Sequence, residues 1–146
     1  MTEKKWTALS FAAMAAAILC ELLPYGAVLR FMGNAETGEI IRRTYSYFSL
    51  TPYGYANFGP LITAVLSTAL VIMLLVLLFA KKPLVPLRTA ALVIGFVALA
   101  TSLMPLLMLG LEYYSLLGGG ITVLLLLAVV FECIAMKKLD KPDDAK

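Results

Sequence analysis

The sequence predicts an all-α membrane protein, a bundle of four transmembrane helices that carries a small β-hairpin in its first outer loop. Hydrophobic residues make up 62% of the 146 residues and charged residues only 14%, whereas a soluble domain has roughly 45–50% and about 25%. The apolar residues are concentrated in four segments of about 20 residues, which is the length needed to cross a bilayer. Lysine and arginine flank these segments and do not interrupt them.

The first apolar segment, residues 6–23, follows two lysines. A basic start, an apolar run and Cys20 are also typical of a lipoprotein signal peptide. Cleavage in that class requires a small residue before the cysteine and leucine three residues before it, but this chain has Leu19 and Ala17 there. We therefore predict a retained helix, with cleavage as the alternative.

The other three predicted helices are residues 60–80, 89–109 and 116–136. The first two of these carry no charge, and the last is interrupted only by Glu132. Pro105 lies within the third helix and should kink it or loosen its last turn. We expect Glu132 to extend to the membrane surface or to pair with one of the basic residues of the turn between the second and third helices, which are Lys81, Lys82 and Arg88.

Lysine and arginine in the flanking segments predict the orientation of the chain, because cytoplasmic loops are enriched in both. One side of the membrane would hold nine of them: Lys4, Lys5, Lys81, Lys82, Arg88, Lys137, Lys138, Lys141 and Lys146. The other side would hold three: Arg30, Arg42 and Arg43. This asymmetry predicts a multi-pass protein of the plasma membrane whose two termini are cytoplasmic, with residues 137–146 as a cytoplasmic tail.

The outer loop, residues 24–59, is rich in aromatic residues and has β-strand character. Residues 25–31 and 40–50 contain many β-branched and aromatic side chains, and turn-forming residues lie between them. We predict a hairpin over the outer mouth of the bundle. Five tyrosines form a candidate recognition surface for lipid, glycan or another membrane protein: Tyr25, Tyr45, Tyr47, Tyr53 and Tyr55. The alternative is a purely structural cap, because tyrosine also favours the membrane interface.

Glu21 is the most informative single residue, because an ionisable side chain at membrane depth is a functional candidate by default. At helical spacing it shares one face of the first helix with small or polar residues, and this face should point toward the other helices: Thr7, Ser10, Met14 and Ala17. The candidate polar site combines Glu21 with the arginines of the outer loop: Arg30, Arg42 and Arg43. It is either an interfacial clamp or a proton- or cation-coupled site, unless Glu21 is simply exposed.

Catalytic residue types are scarce. The sequence has no histidine, its two cysteines are far apart, and its three aspartates all lie in the tail. Histidine-based acid–base catalysis and histidine-containing metal sites are therefore excluded. We expect no enzymatic activity, no metal and no cofactor. Because the basic residues flank apolar segments and form no stripe, we also expect no nucleic-acid partner.

Four helices with a β-strand-containing first outer loop resemble the claudin architecture, although this loop lacks the tryptophan and the cysteine pair of that family. Small multidrug transporters are similar in having four helices and a glutamate in the first, but they lack a long first loop. Residues 42–60 (RRTYSYFSLTPYGYANFGP) resemble the outer loop of small uncharacterised four-helix membrane proteins of Gram-positive gut bacteria. That resemblance implies the fold and no particular activity.

These observations favour a non-enzymatic accessory or scaffold subunit of the cell envelope. Its expected partners are membrane lipid and either another membrane protein or a second copy of the chain. The alternatives are a small proton-coupled transporter in which Glu21 is the coupling residue, and a membrane protein that binds a lipid or small molecule.

Overall fold

The computed structural model describes residues 2–34, 36 and 38–140, with the backbone alone at Asn34 and Asp140. The helices and strands follow in this order: α1 (Glu3–Leu22), β1 (Ala27–Asn34), β2 (Glu39–Tyr45), α2 (Leu50–Gly54), α3 (Gly59–Phe79), α4 (Val85–Leu109), a 3₁₀ turn (Leu111–Tyr113) and α5 (Leu116–Asp140). Four of these helices, α1, α3, α4 and α5, are long and apolar enough to cross a membrane. The predicted fold class is confirmed.

Two helices extend four residues beyond their predicted ends. The helix α4 begins at Val85, four residues before the predicted start, and therefore includes Arg88. Pro86 fits this first turn, because an N–H at that position would have no helical partner. The helix α5 continues into the predicted tail as far as Asp140. Its last turn contains Lys137 and Lys138, and positive charges stabilise the C-terminal end of a helix. Residues 141–146 of the predicted tail lie outside the described residues.

The four long helices form one antiparallel bundle. The helix α1 packs chiefly against α5 and also against α3, and α4 packs against both α3 and α5. Small residues permit these close approaches. At Gly95, for example, an added Cβ would lie 2.8 Å from Val129 Cγ2. One end of the bundle carries β1 and β2 and is called the sheet end; the opposite end, which carries Lys81, Lys82, Lys137 and Lys138, is called the basic end.

The helix α4 is continuous through Pro105, which has no N–H to donate to the carbonyl of Thr101. Gly59, the first residue of α3, packs at this point. A Cβ at Gly59 would lie 2.7 Å from Thr101 O and 2.8 Å from Pro105 Cδ. The Thr63 and Thr101 hydroxyls are 2.9 Å apart across the same contact. Glycine at position 59 therefore allows α3 and α4 to meet at the sheet end.

The predicted hairpin is confirmed. The strands β1 and β2 pair antiparallel from Ala27↔Tyr45 to Asn34↔Glu39, with an irregularity between Met32 and Asn34. On its other side, β1 makes an isolated bridge from Ala27 to Tyr114 in the α4–α5 turn. The strand β1 therefore lies between β2 and that turn, and β2 is the outer strand.

The segment that returns from the hairpin to α3 contains the short helix α2. The Ser49 side chain caps this helix by accepting a hydrogen bond from the Thr51 N–H. Serine is a favoured residue at this position because its oxygen satisfies a backbone donor that has no helical partner. The helix α2 packs against α3 and β1, and it thereby holds the base of the hairpin over the bundle.

Candidate functional site

The predicted polar stripe on α1 faces the interior of the bundle. Its five members are the buried residues of that helix: Thr7, Ser10, Met14, Ala17 and Glu21. Their spacing of three or four residues places them on one helical face. Ser10 Oγ donates a 2.8 Å hydrogen bond to the Ala128 carbonyl of α5. At the sheet end the stripe ends with the buried Glu21. At the basic end it ends with Thr7, which contacts Arg88.

Glu21 is fully buried, and its partner is on α3. Its Oε1 accepts a 2.8 Å hydrogen bond from Ser67 Oγ. Its Oε2 is also buried and has no hydrogen-bond partner within the described part of the chain. Two of the alternatives for Glu21, simple exposure and a clamp to the loop arginines, are wrong, because the carboxylate is buried and points into the helical bundle.

The three arginines of the predicted site lie on the hairpin instead. Arg30 on β1 pairs with Glu112 in the 3₁₀ turn and so joins the hairpin to the α4–α5 turn. Arg42 and Arg43 lie on the exposed outer strand β2, opposite Arg30 and Leu29 respectively. The structure therefore separates the four predicted residues into a buried carboxylate and a basic hairpin.

Tyr47 belongs to the core and not to the predicted recognition surface, because only 1% of its area is exposed. Its ring packs so closely on Gly26 that a Cβ there would lie 2.8 Å from Tyr47 Cδ1. Its N–H donates a 2.9 Å hydrogen bond to the Glu21 carbonyl, a group that the end of α1 would otherwise leave unpaired. Burial raises the pKa of the Tyr47 phenol above its usual value. Tyr47 thus anchors the hairpin to the end of α1.

The other tyrosines of the predicted surface are accessible. Tyr25, Tyr53 and Tyr55 are exposed, and Tyr45 is partly buried. The Tyr55 ring meets Phe31 of β1 edge-on, with ring centroids 5.1 Å apart. These residues all lie in the segment between α1 and α3, at the sheet end.

A second buried cluster lies at the basic end. Arg88 Nη1 lies 2.8 Å from Glu132 Oε1, so of the alternatives expected for Glu132 the structure shows pairing, with Arg88 as the partner. The same nitrogen donates a 3.1 Å hydrogen bond to Thr7 Oγ1. Glu3 Oε2 lies 3.9 Å from Arg88 Nη2. This cluster joins α1, α4 and α5 through charged and polar side chains.

Sequence reasoning did not identify Ser67 or the burial of Arg88. Ser67 belongs to a series of buried positions in α3 that are spaced like those of α1: Pro60, Thr63, Ser67, Leu70 and Leu74. The same periodicity argument would have placed this serine on an inward face. The sequence prediction placed Arg88 in the loop before the helix. Pro86 was the sequence signal for an earlier helix start, because proline is favoured in the first turn of a helix.

The two buried glutamates are held at opposite ends of the bundle, so they do not form the close carboxylate pair that glycosidic hydrolysis requires. Within the described residues, no group of three His, Cys, Asp or Glu side chains could hold a metal ion. No protein-family model, curated protein or solved structure matches the chain.

Proposed function

We propose that this membrane protein is a non-enzymatic accessory subunit of the cell envelope, and that it docks a second membrane protein along the outer edge of β2. The observation that carries the proposal is the exposure of β2. All its residues from Glu39 to Arg43 are exposed, whereas Ala27, Val28 and Leu29 at the base of β1 are buried. The base of the hairpin is therefore fastened to the bundle and its outer part extends beyond it.

Apolar side chains are accessible on both faces of this outer part. Ile40 pairs with Met32 on one face, and Ile41 pairs with Phe31 on the other. Ile40 and Ile41 are 54% and 41% exposed. A two-stranded hairpin is marginally stable alone and needs a packing surface. The bundle supplies that surface for the base, and Tyr55 covers part of Phe31. The side chains of Met32, Ile40 and Ile41 remain exposed, which supports a partner at the outer part.

The outer edge of β2 favours a protein strand over a lipid as this partner. Within the described residues, β2 pairs with β1 alone, so its other side presents a row of backbone donors and acceptors. An extended segment of another protein can satisfy such a row by adding a strand. Lipid acyl chains have no groups that could do so.

Charge indicates the character of the partner strand. Arg42 and Arg43 are exposed on β2, and Arg42 lies directly opposite Arg30. Like charges in that position destabilise a sheet, and Arg30 already pairs with Glu112. We therefore expect the partner strand to place carboxylates beside Arg42 and Arg43.

The location of the hairpin supports a membrane-protein partner. The hairpin begins just after α1 and returns to α3, so its base lies at the ends of two membrane-spanning helices. Within the described residues, seven lysines and arginines flank the other end, and they favour a cytoplasmic basic end. The docking surface would then lie on the outer side of the plasma membrane.

Charge reversal on β2 tests the proposal. Arg42→Glu with Arg43→Glu should reduce the amount of co-purified partner at least tenfold. The hairpin should persist, because a carboxylate at position 42 would attract Arg30. The matched control is Lys81→Glu with Lys82→Glu, which reverses two exposed charges at the basic end and should leave the partner in place.

Three outcomes would contradict the docking proposal. They are equal loss of partner from both variants, retention of the partner by the β2 variant, and recovery of lipid alone with the wild-type protein. Lipid alone would instead support the lipid-binding alternative.

A further inference from the structure

We propose that Glu21 is a proton-binding site in the membrane, and that its carboxyl group is neutral in the folded protein. This inference is independent of the docking role. It rests on three features of the site as the described residues form it: complete burial, a hydroxyl as the only hydrogen-bond partner of the carboxyl group, and a second carboxyl oxygen that is buried without a partner.

Within the described part of the chain, no cation balances a charge on Glu21. Among the described residues, the titratable group that interacts with it is the phenol of Tyr47, in the segment after β2. The facing helix α3 contributes the neutral Ser67. None of the ion pairs among the described residues involves Glu21. An isolated carboxylate in such an environment is so unfavourable that the group takes up a proton instead.

Glu132 provides an internal comparison. It is buried nearly as completely as Glu21, at 2% against 0% exposure. However, Glu132 lies 2.8 Å from Arg88, whose positive charge stabilises the carboxylate. The two glutamates therefore differ in their partners and not in how completely they are buried. The geometry makes Glu132 half of an ion pair and Glu21 a carboxylic acid.

The hydrogen bond from Ser67 also indicates which carboxyl oxygen of Glu21 carries the proton. Ser67 Oγ–H donates to Glu21 Oε1, which fits Oε1 as the carbonyl oxygen of a carboxylic acid. The proton then resides on Oε2. Proton binding converts a carboxylate and a proton from the aqueous phase into this acid, and it removes one negative charge from the interior.

Release of the proton would have a structural consequence. The carboxylate formed would have to be hydrated, so water would need to enter between α1 and α3 at the sheet end. The backbone N–H of Tyr47 is hydrogen-bonded to the backbone carbonyl of Glu21. This opening would therefore also affect the attachment of the hairpin. Glu21 thereby links the protonation state to the packing of the sheet end.

Infrared difference spectroscopy of the whole protein in lipid bilayers tests the inference directly. At neutral pH, the wild-type spectrum minus that of Glu21→Gln should contain the C=O stretching band of a protonated carboxyl group. The matched control is Glu112→Gln, because Glu112 has a 68% exposed side chain paired with Arg30. That variant should lose a carboxylate band and no carboxylic-acid band.

A second variant guards against misfolding of Glu21→Gln. Ser67→Ala removes the donor to Oε1, so the same carboxylic-acid band should shift to higher frequency. The inference is overturned if the Glu21→Gln difference contains carboxylate bands alone. It is equally overturned if Glu21→Gln fails to assemble and Ser67→Ala leaves the carboxylic-acid region unchanged.

Discussion

Arg88 of α4 and Glu132 of α5 form an ion pair of 2.8 Å in which both side chains are at least 96% buried. Removing one member of such a pair leaves an uncompensated charge, at a cost of roughly 3–5 kcal/mol. We predict that Arg88→Leu destabilises the bundle by that amount in denaturation experiments in detergent micelles. Arg30→Leu is the control, and its cost should be about 1 kcal/mol or less, because its partner Glu112 is largely exposed.

Combining Arg88→Leu with Glu132→Leu should restore much of the lost stability, because no buried charge of the pair then remains. The double-mutant cycle measures this coupling. Additive losses would show that Arg88 and Glu132 act independently, contrary to the geometry of the basic end.

Glycine at position 59 should be required for the contact between α3 and α4. A Cβ there would lie 2.7 Å from the Thr101 carbonyl and 2.8 Å from Pro105, and overpacking of this kind costs roughly 1–3 kcal/mol. Gly59→Ala should therefore lower the thermal midpoint in micelles. Gly120→Ala should not, because that position in α5 has open space around it and alanine favours a helix. A neutral Gly59→Ala would contradict the packing at Pro105.

Tyr47 should contribute far more to stability than the exposed tyrosines near it. We predict that Tyr47→Ala costs roughly 3–5 kcal/mol, the range for truncating a large buried aromatic residue. Tyr25→Ala is the matched change at a 62% exposed side chain, and it should be nearly neutral. Limited proteolysis would locate the effect, because the hairpin should become susceptible in the Tyr47 variant alone. Equal losses in the two variants would mean that Tyr47 does not anchor the hairpin.

Single cysteines test the proposed orientation. In a chain with both native cysteines replaced, Leu111→Cys at the sheet end should react with a membrane-impermeant maleimide on intact cells. Lys82→Cys at the basic end should react only after permeabilisation. Both positions are exposed, so access alone does not distinguish them. The reverse pattern would place the basic end outside and contradict the orientation expected from the distribution of lysine and arginine.

The features that sequence could predict depend on periodicity and composition. The four spans follow from apolar length, the hairpin from β-branched and aromatic residues around turn residues, and the buried face of α1 from its helical spacing. Arg88 illustrates the limit at helix ends. Arg88 lies either in the loop before α4 or in the first turn of that helix, depending on where the helix begins. Composition alone leaves the start of a helix open by several residues.

Long-range contacts explain the other failures. Tyr47 resembles the exposed tyrosines in its local sequence, but Gly26 and the N-terminal turn of α5, 20 to 70 residues away, determine its burial. Similarly, Ser67 becomes the partner of Glu21 only because α1 packs against α3. Because opposite charges attract, an arginine of the outer loop was considered as the partner of Glu21. The orientation of the glutamate side chain into the bundle prevents that contact.

Native mass spectrometry of the protein extracted gently from its own membranes is the most direct test of the docking proposal. We predict one dominant complex that contains this chain and a second membrane protein at a fixed ratio, and that is lost when Arg42 and Arg43 are both replaced by glutamate. A bare monomer, or a homodimer that persists in that variant, would contradict the assignment of β2 as a docking edge for a partner protein.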